Sequence, residues 1–147
     1  MAYNNPTPVA IAVVRVRRRD GSLALLGIVR VKNPDDGHAL PGGYVDEMET
    51  FEEAVVREFR EEVGINTHPS QWRLMGSKMS AKNQVLVFCE FSGEISEERL
   101  DDFVPNDEAK AVLFLSKGCE LCFPNHQLVA REYLETATAP YSLYTEA

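Results

Sequence analysis

Three glutamates, Glu58, Glu61 and Glu62, stand close together on one predicted helix, shortly after the glycine pair Gly42 and Gly43. At about 100° per residue, their side chains point within a sector of roughly 100°. Carboxylates crowded in this way repel one another, and acids near the C-terminal end of a helix also oppose its dipole. A bound Mg²⁺ or Mn²⁺ would compensate both effects, because hard cations prefer oxygen ligands. With a glycine turn that lets backbone approach an anionic ligand, these residues indicate metal-assisted chemistry on a phosphate compound.

The helix that carries these acids is specified at both ends and along its buried face. Thr50 and Glu53 form a capping-box pattern at its start, and Gly64 stands where a C-terminal glycine is expected. Apolar residues recur at every fourth position and predict the stripe that packs on the core, namely Phe51, Val55, Phe59 and Val63. The three glutamates lie opposite that stripe, where a solvated acidic face is the alternative to a metal site.

The remaining segments predict a mixed sheet around this helix. The run VAIAVVRVR after Pro8 and the segment 23–30 form a predicted hairpin around Asp20 and Gly21. Further strands are predicted over 72–79, 84–91 and 111–115, with loops over 31–38 and 80–83. The acidic segment 93–107 is predicted to be mostly irregular, with a helical turn near 97–102. An amphipathic helix is predicted over 125–136, in which Leu128, Val129 and Leu134 are apolar. Since strands and helices do not alternate regularly, we expect an α/β fold with a mixed sheet between helices.

Composition narrows the class of protein. The 147 residues fit one domain over 1–147, with 1–7 and 138–147 as loose tails. A net charge of -8 argues against nucleic acid as a partner, and the basic cluster of Arg15, Arg17, Arg18 and Arg19 is interpreted as a solvated hairpin end. No apolar stretch has the length of a membrane span and no signal pattern opens the chain, so no membrane partner and a cytoplasmic location are expected.

The three cysteines are an odd number, which does not favour a secreted disulfide framework. Cys119 and Cys122 are separated by two residues, and His126 follows four residues later. This spacing is half of a zinc site, but a structural zinc usually takes paired motifs and no second pair exists in the sequence. Small thiols packed near a loop are therefore the favoured interpretation.

The segment 42–65 resembles the Nudix box, in which Gly is followed by five residues, Glu, seven residues and then Arg-Glu-aliphatic-x-Glu-Glu-x-Gly-aliphatic. The fixed positions are filled in register by Gly43, Glu49, Arg57, Glu58, Glu61, Glu62, Gly64 and Ile65. Phe59 replaces a usual aliphatic residue, and Met48 replaces a glycine that often precedes the first box glutamate. The resemblance implies the Nudix hydrolase family and its α/β/α sandwich.

The resemblance also implies roles for the box acids. Glu58, Glu61 and Glu62 would bind Mg²⁺ or Mn²⁺, with the Gly42 carbonyl as a further ligand. Either Glu61 or Glu58 is the candidate general base, because crowding raises the pKa of one carboxylate while a metal keeps the others ionised. An acid on a distant loop is the alternative base.

Residues around the box complete the predicted site. Arg57 and Glu49 would form a catalytic supporting pair that orients the acids, although an ordinary ion pair of Arg57 with Glu53 or Glu61 is the alternative. Several family members use an acid from the loop before a late strand. Glu108 is the best positional match for that further metal ligand and Asp107 is the next, with a solvated loop acid as the alternative.

Four residues are candidates for substrate binding. Arg30 ends the second strand near the glycines and could reach a phosphate, while Gly43 would offer backbone. His38 stands where many family members carry an aromatic residue, so it is a candidate contact. His126, before the last helix, is a candidate for the pocket lining, with a capping or surface role as the alternative.

Nudix enzymes hydrolyse a nucleoside diphosphate linked to another moiety. The stretch FPNH is similar to members that act on ADP-ribose and related compounds, which favours a small-molecule nucleotide of that class. A nucleoside triphosphate pyrophosphatase is the alternative enzyme, and a non-catalytic nucleotide-sensing module is the alternative class. Many relatives form dimers, and the sequence leaves open whether this chain is a monomer or a homodimer.

Overall fold

A computed structural model describes residues 4–31 and 37–136, so the first three residues of the predicted tail over 1–7 and all of the predicted tail over 138–147 lie outside the described residues. Within them, seven strands form one sheet, accompanied by two α-helices and two short 3-10 helices. The strands are β1 (Thr7–Arg17), β2 (Leu23–Arg30), β3 (His38–Ala39), β4 (Gly42–Tyr44), β5 (Trp72–Met79), β6 (Gln84–Ser96) and β7 (Ala109–Leu115). The helices are α1 (Phe51–Val63) and α2 (Pro124–Thr136), and the 3-10 helices are Pro69–Gln71 and Glu97–Leu100.

Strand β1 is the centre of a mixed sheet. Along one edge it pairs antiparallel with β2 and β4, and along the other it pairs parallel with β6. The order is β3-β2-β1-β6-β5, with β7 added antiparallel to β2. The segment predicted as a glycine turn is thus a short strand, β4, in which Gly42 lies opposite Ile11 of β1.

The two helices cover opposite faces of the sheet, as the alternation along β1 shows. Ala10, Ala12 and Val14 belong to the core cluster that contains α1. Their neighbours Val9, Ile11 and Val13 belong to the cluster that contains α2. Since successive side chains of a strand point to opposite faces, the predicted α/β/α sandwich with a mixed sheet between helices is confirmed. No helix among the described residues has the length and apolarity that a membrane crossing requires.

Helix α1 has the ends and the buried face that the sequence predicted. Thr50 and Glu53 form the complete capping box, and Gly64 ends the helix in the left-handed conformation. Three residues of the predicted stripe are buried, whereas Phe51 is only partly buried at the first turn. In α2, Val129 and Leu134 pack on the sheet, whereas Leu128, the third apolar residue named from the sequence, is exposed.

The acidic segment 93–107 begins as strand, although the sequence predicted it to be mostly irregular, and the helical turn predicted near 97–102 is present. Strand β6 continues beyond Phe91 to Ser96 and is followed by a 3-10 turn. Its extension pairs with the end of β1, where Arg17 bonds Glu94 at 2.7 Å and Arg18 bonds Glu97 at 2.7 Å. Arg17, Arg18 and Arg19 at this hairpin end thus pair with acids while staying partly exposed. Since exposed ion pairs contribute little, the backbone pairing of β1 with β6 is what orders the start of the segment.

Several boundaries also moved by one or two residues. Strand β1 begins at Thr7, which the sequence had assigned to the loose leader, because its N–H bonds the carbonyl of Asn83 at 3.0 Å. Strand β7 begins at Ala109 and α2 at Pro124, each slightly before the predicted start.

Substituting Gly64 with Ala tests the left-handed end of α1. The φ of Gly64 is 84° and nothing lies within 4 Å of an added Cβ, so only backbone strain opposes the change. We expect a loss of about 1 kcal/mol in the free energy of unfolding, measured by urea denaturation. Gly76→Ala is the matched control, because Gly76 also has open space but no positive φ, and it should be neutral or slightly stabilising. Equal losses in both variants would contradict this explanation.

Candidate active site

Carboxylates from two distant parts of the chain meet beside helix α1. Glu58 and Glu61 lie one turn apart on α1, and Glu108 immediately precedes β7. Each offers one oxygen, and these three oxygens all lie within 4.8 Å of one another. We call Glu58, Glu61 and Glu108 the carboxylate cluster. Asp107, the alternative loop acid, is exposed and does not belong to it.

Glu62 lies beside the carboxylate cluster and joins α1 to β4. It is only 2% exposed, and its Oε1 accepts a hydrogen bond of 2.9 Å from the N–H of Gly42. Gly42, predicted to offer its carbonyl, thus contacts the site through its backbone N–H. Glu62 is therefore held in the interface between helix and sheet, and not on a solvated acidic face.

The glycines of β4 allow helix and sheet to approach closely. A Cβ atom on Gly43 would lie 2.5 Å from the carboxyl carbon of Glu58, and one on Gly42 would lie 2.3 Å from the carbonyl oxygen of Ala10. Neither position accepts a side chain without a shift of its neighbours. These two glycines therefore set the distance between the sheet and the acids of α1.

Arg57 ties the acids to the segment that precedes α1. Its Nε and Nη2 donate to the two carboxylate oxygens of Glu49 at 2.8 and 2.9 Å, and Nη2 also donates to the Tyr44 carbonyl at 2.9 Å. Its Nη1 donates to Glu58 at 2.8 Å and lies 3.4 Å from Glu61. A guanidinium fork that binds one carboxylate at two points fixes its own orientation, so Glu49 and Arg57 position Glu58.

Burial and mutual repulsion shift the pKa values of the acids in the site to different extents. Burial raises the pKa of Glu58, and it raises the pKa of Glu62 further because the charges of Glu58 and Glu108 add to it. Hydrogen bonds from Arg57 instead lower the pKa of Glu49. The crowded acids with raised pKa values are thus Glu58 and Glu62, whereas the sequence had offered Glu58 and Glu61 as bases.

The carboxylate cluster fits a hard divalent cation. Its three oxygens lie within 4.8 Å of one another, and ligands about 2.1 Å from one metal lie about 3 Å apart when adjacent and about 4.2 Å apart when opposite, so cation binding would draw the carboxylates together. In the described part of the chain, the Glu108 carboxylate accepts no hydrogen bond. A cation would therefore supply a counter-charge to this carboxylate, because the nearby Arg57 is engaged by Glu49 and Glu58.

A cavity of about 520 Å³ adjoins the glycine strand. Gly42 and Gly43 line it without side chains, so their backbone is open to a ligand. The guanidinium of Arg30 lies 4.8 Å from the ring centre of Phe123 on the cavity wall, and Lys82 is also part of the lining. No acidic residue belongs to this lining among the residues that the structure describes. The cavity therefore suits an anionic ligand with a planar group, in a chain whose net charge is -8.

Of the two predicted histidines, only His126 belongs to the cavity lining. It is 5% exposed, and its Nδ1 accepts a hydrogen bond of 3.2 Å from the Leu40 N–H, which makes Nε2 the protonated nitrogen of the neutral ring. Burial lowers the pKa of His126 to about 3. His38 is exposed and is not among the residues that line the cavity, and its carbonyl accepts the N–H of Cys122.

Among the described residues, neither Cys119 nor Cys122 belongs to a group of side chains that could bind a metal together. Cys119 and Cys122 are free thiols of intermediate burial, and burial raises the pKa of both. The amide of Gln127 instead holds their loop, donating to the Cys119 carbonyl at 2.8 Å and accepting from the Leu121 N–H at 2.6 Å.

One residue that the sequence reasoning missed is Asn106. Its Nδ2 donates to the Glu62 carbonyl at 2.9 Å, and its Oδ1 accepts from the N–H groups of Glu108 and Ala109 at 3.0 and 2.9 Å. The signal was present, because Asn after Pro105 in a loop is typical of a side chain that bonds the backbone two residues later. Its second partner, on α1, is distant in sequence and gives no local signal.

The family model described as NUDIX domain matches residues 6–132. A curated protein of Methanocaldococcus jannaschii, named ADP-ribose pyrophosphatase, is 49% identical over 57 residues, which cover 38% of this chain and 32% of that protein. The matched stretch thus spans about a third of the relative's own length.

Two solved structures share the fold. The NUDIX domain of Shewanella oneidensis NrtR, complexed with ADP ribose, has a TM-score of 0.72 and 19% identity, covering 90% of this chain and 89% of that chain. A bifunctional NMN adenylyltransferase/ADP ribose pyrophosphatase from Francisella tularensis, complexed with AMP and a Mn ion, has a TM-score of 0.68 and 23% identity, covering 92% and 43%. At these identities the likeness concerns the fold.

The burial of His126 predicts a loss of stability at acid pH. The unfolded chain binds a proton at this residue below about pH 6.5, whereas the folded chain binds it only near pH 3. The unfolded state therefore holds more protons in this window, and stability falls as pH falls. Between pH 6.5 and 5 the contribution is about 2 kcal/mol.

We expect His126→Asn, which keeps a hydrogen-bond acceptor for Leu40, to remove that share of the pH dependence. Urea unfolding at both pH values measures it. His68→Asn is the matched control, because His68 is exposed and Asn can also cap the following 3-10 turn. An unchanged pH dependence in the His126 variant would contradict a neutral buried imidazole.

Proposed function

Because this chain belongs to the NUDIX domain family, we propose that it is a divalent-metal-dependent hydrolase that cleaves the pyrophosphate bond of a nucleoside diphosphate linked to another moiety. The observation that carries this proposal is the carboxylate cluster next to a cavity whose lining, among the described residues, bears cations and no acids. The cluster suits a metal, the cavity suits an anionic nucleotide, and the glycines of β4 lie between them.

Glu58, Glu61 and Glu108 would hold Mg²⁺ or Mn²⁺, with Glu62 beside them. A bound cation supplies a Lewis acid that neutralises pyrophosphate oxygens and lowers the pKa of coordinated water. Arg57 keeps Glu58 in place, and Glu49 keeps Arg57 in place. The raised pKa values of Glu58 and Glu62 support a proton-accepting role for one of these acids, which adds Glu62 to the two candidates from sequence, Glu61 and Glu58.

The cavity supports a nucleotide as the substrate. Its volume of about 520 Å³ lies in the range of small-molecule sites. Phe123 with the stacked Arg30 offers a face for a planar base, and the backbone of Gly42 and Gly43 would meet the phosphates. His126 would present its Nε2–H to an acceptor atom of the ligand, and its low pKa keeps it neutral at physiological pH.

An ADP-ribose-like compound or nucleotide sugar is the substrate class that we favour. The curated relative at 49% identity is an ADP-ribose pyrophosphatase by name, although the match covers 38% of this chain. A nucleoside triphosphate pyrophosphatase is the second candidate, because the box acids would serve either reaction. A non-catalytic module is disfavoured, since all box acids are present.

A substrate panel tests the activity and separates the candidates. Nucleoside diphosphate derivatives and triphosphates are incubated with Mg²⁺ or with Mn²⁺, and the products are separated by chromatography. AMP plus ribose phosphate from ADP-ribose supports the favoured class, whereas a nucleoside monophosphate plus pyrophosphate supports the alternative. Absence of turnover on the whole panel with both ions would contradict the hydrolase proposal.

Glu61→Gln tests the carboxylate cluster directly. Removing one carboxylate should lower kcat by about 100-fold or more while the melting temperature stays near that of the wild type, because Glu61 is exposed and makes few contacts. Glu52→Gln is the control, since it removes the same charge from the first turn of α1 and should leave kcat within about twofold. Near-normal turnover of the Glu61 variant with Mg²⁺ would exclude the role assigned to it.

A further inference from the structure

Glu108 is held in the carboxylate cluster against electrostatic repulsion. Its carboxylate lies near those of Glu58 and Glu61, and its charge contributes to the raised pKa of Glu58. In the described part of the chain that carboxylate accepts no hydrogen bond. Among the described residues, its position is therefore explained by the backbone that carries it.

That backbone is fixed by the side chain of Asn106. The amide oxygen accepts from the Glu108 N–H at 3.0 Å and the Ala109 N–H at 2.9 Å, which folds the loop into a tight turn. The amide nitrogen donates to the Glu62 carbonyl at 2.9 Å, which fastens the turn to the last turn of α1. One side chain thus connects the loop acid to the helix that carries the other acids.

We propose that Asn106 is a positioning residue, which holds the Glu108 carboxylate at the Glu58–Glu61 pair so that the cation site is assembled before the cation binds. This inference rests on the divalent-cation use proposed above. A second contact, the Val31 N–H to the Glu108 carbonyl at 3.1 Å, ties the same residue to the end of β2. It fixes the other side of the Glu108 backbone but makes no link to α1, so among the hydrogen bonds of the described residues it is the Asn106 side chain that connects this loop to α1.

Two substitutions separate the functions of the Asn106 side chain. Asn106→Ala removes all its hydrogen bonds, whereas Asn106→Ser keeps a hydroxyl that can accept from the Glu108 N–H but is too short to reach α1. Both should weaken the binding of Mn²⁺ by about 10-fold or more, because residues that orient metal ligands have effects of that size. Free Mn²⁺ is measured by electron paramagnetic resonance in the absence of nucleotide, so the readout does not depend on turnover.

A double-mutant cycle with Glu108→Gln distinguishes positioning from a general structural role. If Asn106 acts through Glu108, Asn106→Ser should change the Mn²⁺ dissociation constant by less than about twofold once Glu108 is already Gln. Asp107→Asn is the control for charge and loop position, because Asp107 is exposed and outside the cluster, and its dissociation constant should stay within about twofold.

The outcomes are distinct. Unchanged Mn²⁺ binding in the folded Asn106 variants overturns the inference and leaves the proposed function intact. The same loss in the wild-type and Glu108→Gln backgrounds also overturns it, because Asn106 would then act through another residue. Absence of Mn²⁺ binding by the wild type would overturn the inference together with the proposed metal dependence. Thermal melting establishes that each variant is folded, and Asn106→Ser serves if the Ala variant is not.

Discussion

The contact between β4 and α1 exists because Gly43 has no side chain. A Cβ atom there would lie 2.5 Å from the carboxyl carbon of Glu58, a distance that real Cβ atoms do not show. The hydrogen bond from Gly42 to Glu62 depends on the same approach. Since β4 also pairs with the central strand β1, the acids of α1 are positioned against the most buried part of the sheet. The helix is thereby tied to a rigid support, which a metal site requires of its ligands.

This close approach has an electrostatic cost that the surrounding residues offset only in part. Glu58 and Glu62 are nearly buried, and burial disfavours their charged forms. Arg57 offsets the charge of Glu58, and the Gly42 N–H stabilises the carboxylate of Glu62. Glu108 adds a further negative charge to the carboxylate cluster. Gathering these acids lowers the stability of the fold, so their arrangement is better explained by a ligand of positive charge.

Local signals predicted much of this structure from the sequence, and contacts between distant segments account for the rest. The capping box and Gly64 specify α1 within its own residues, and so its bounds were correct. The extension of β6 to Ser96 pairs with the end of β1, which lies far away in sequence. Asn106 likewise bonds Glu62 across 44 positions, which no periodicity reveals. Resemblance supplied the box acids, but only the fold distinguishes buried Glu62 from exposed Glu61.

Negative and positive side chains lie on opposite sides of the glycine strand β4, and this separation would determine how a nucleotide is oriented in the site. Acids gather on the α1 side, while the lining of the cavity carries Arg30 and Lys82 and, among the described residues, no acid. An anionic nucleotide would therefore be attracted to the cavity and repelled by the carboxylate cluster unless cations intervene. Because Gly42 and Gly43 form the boundary, the phosphates are the part of the ligand that would meet both regions. Binding of nucleotide and cation should accordingly be cooperative, since each neutralises the charge that opposes the other.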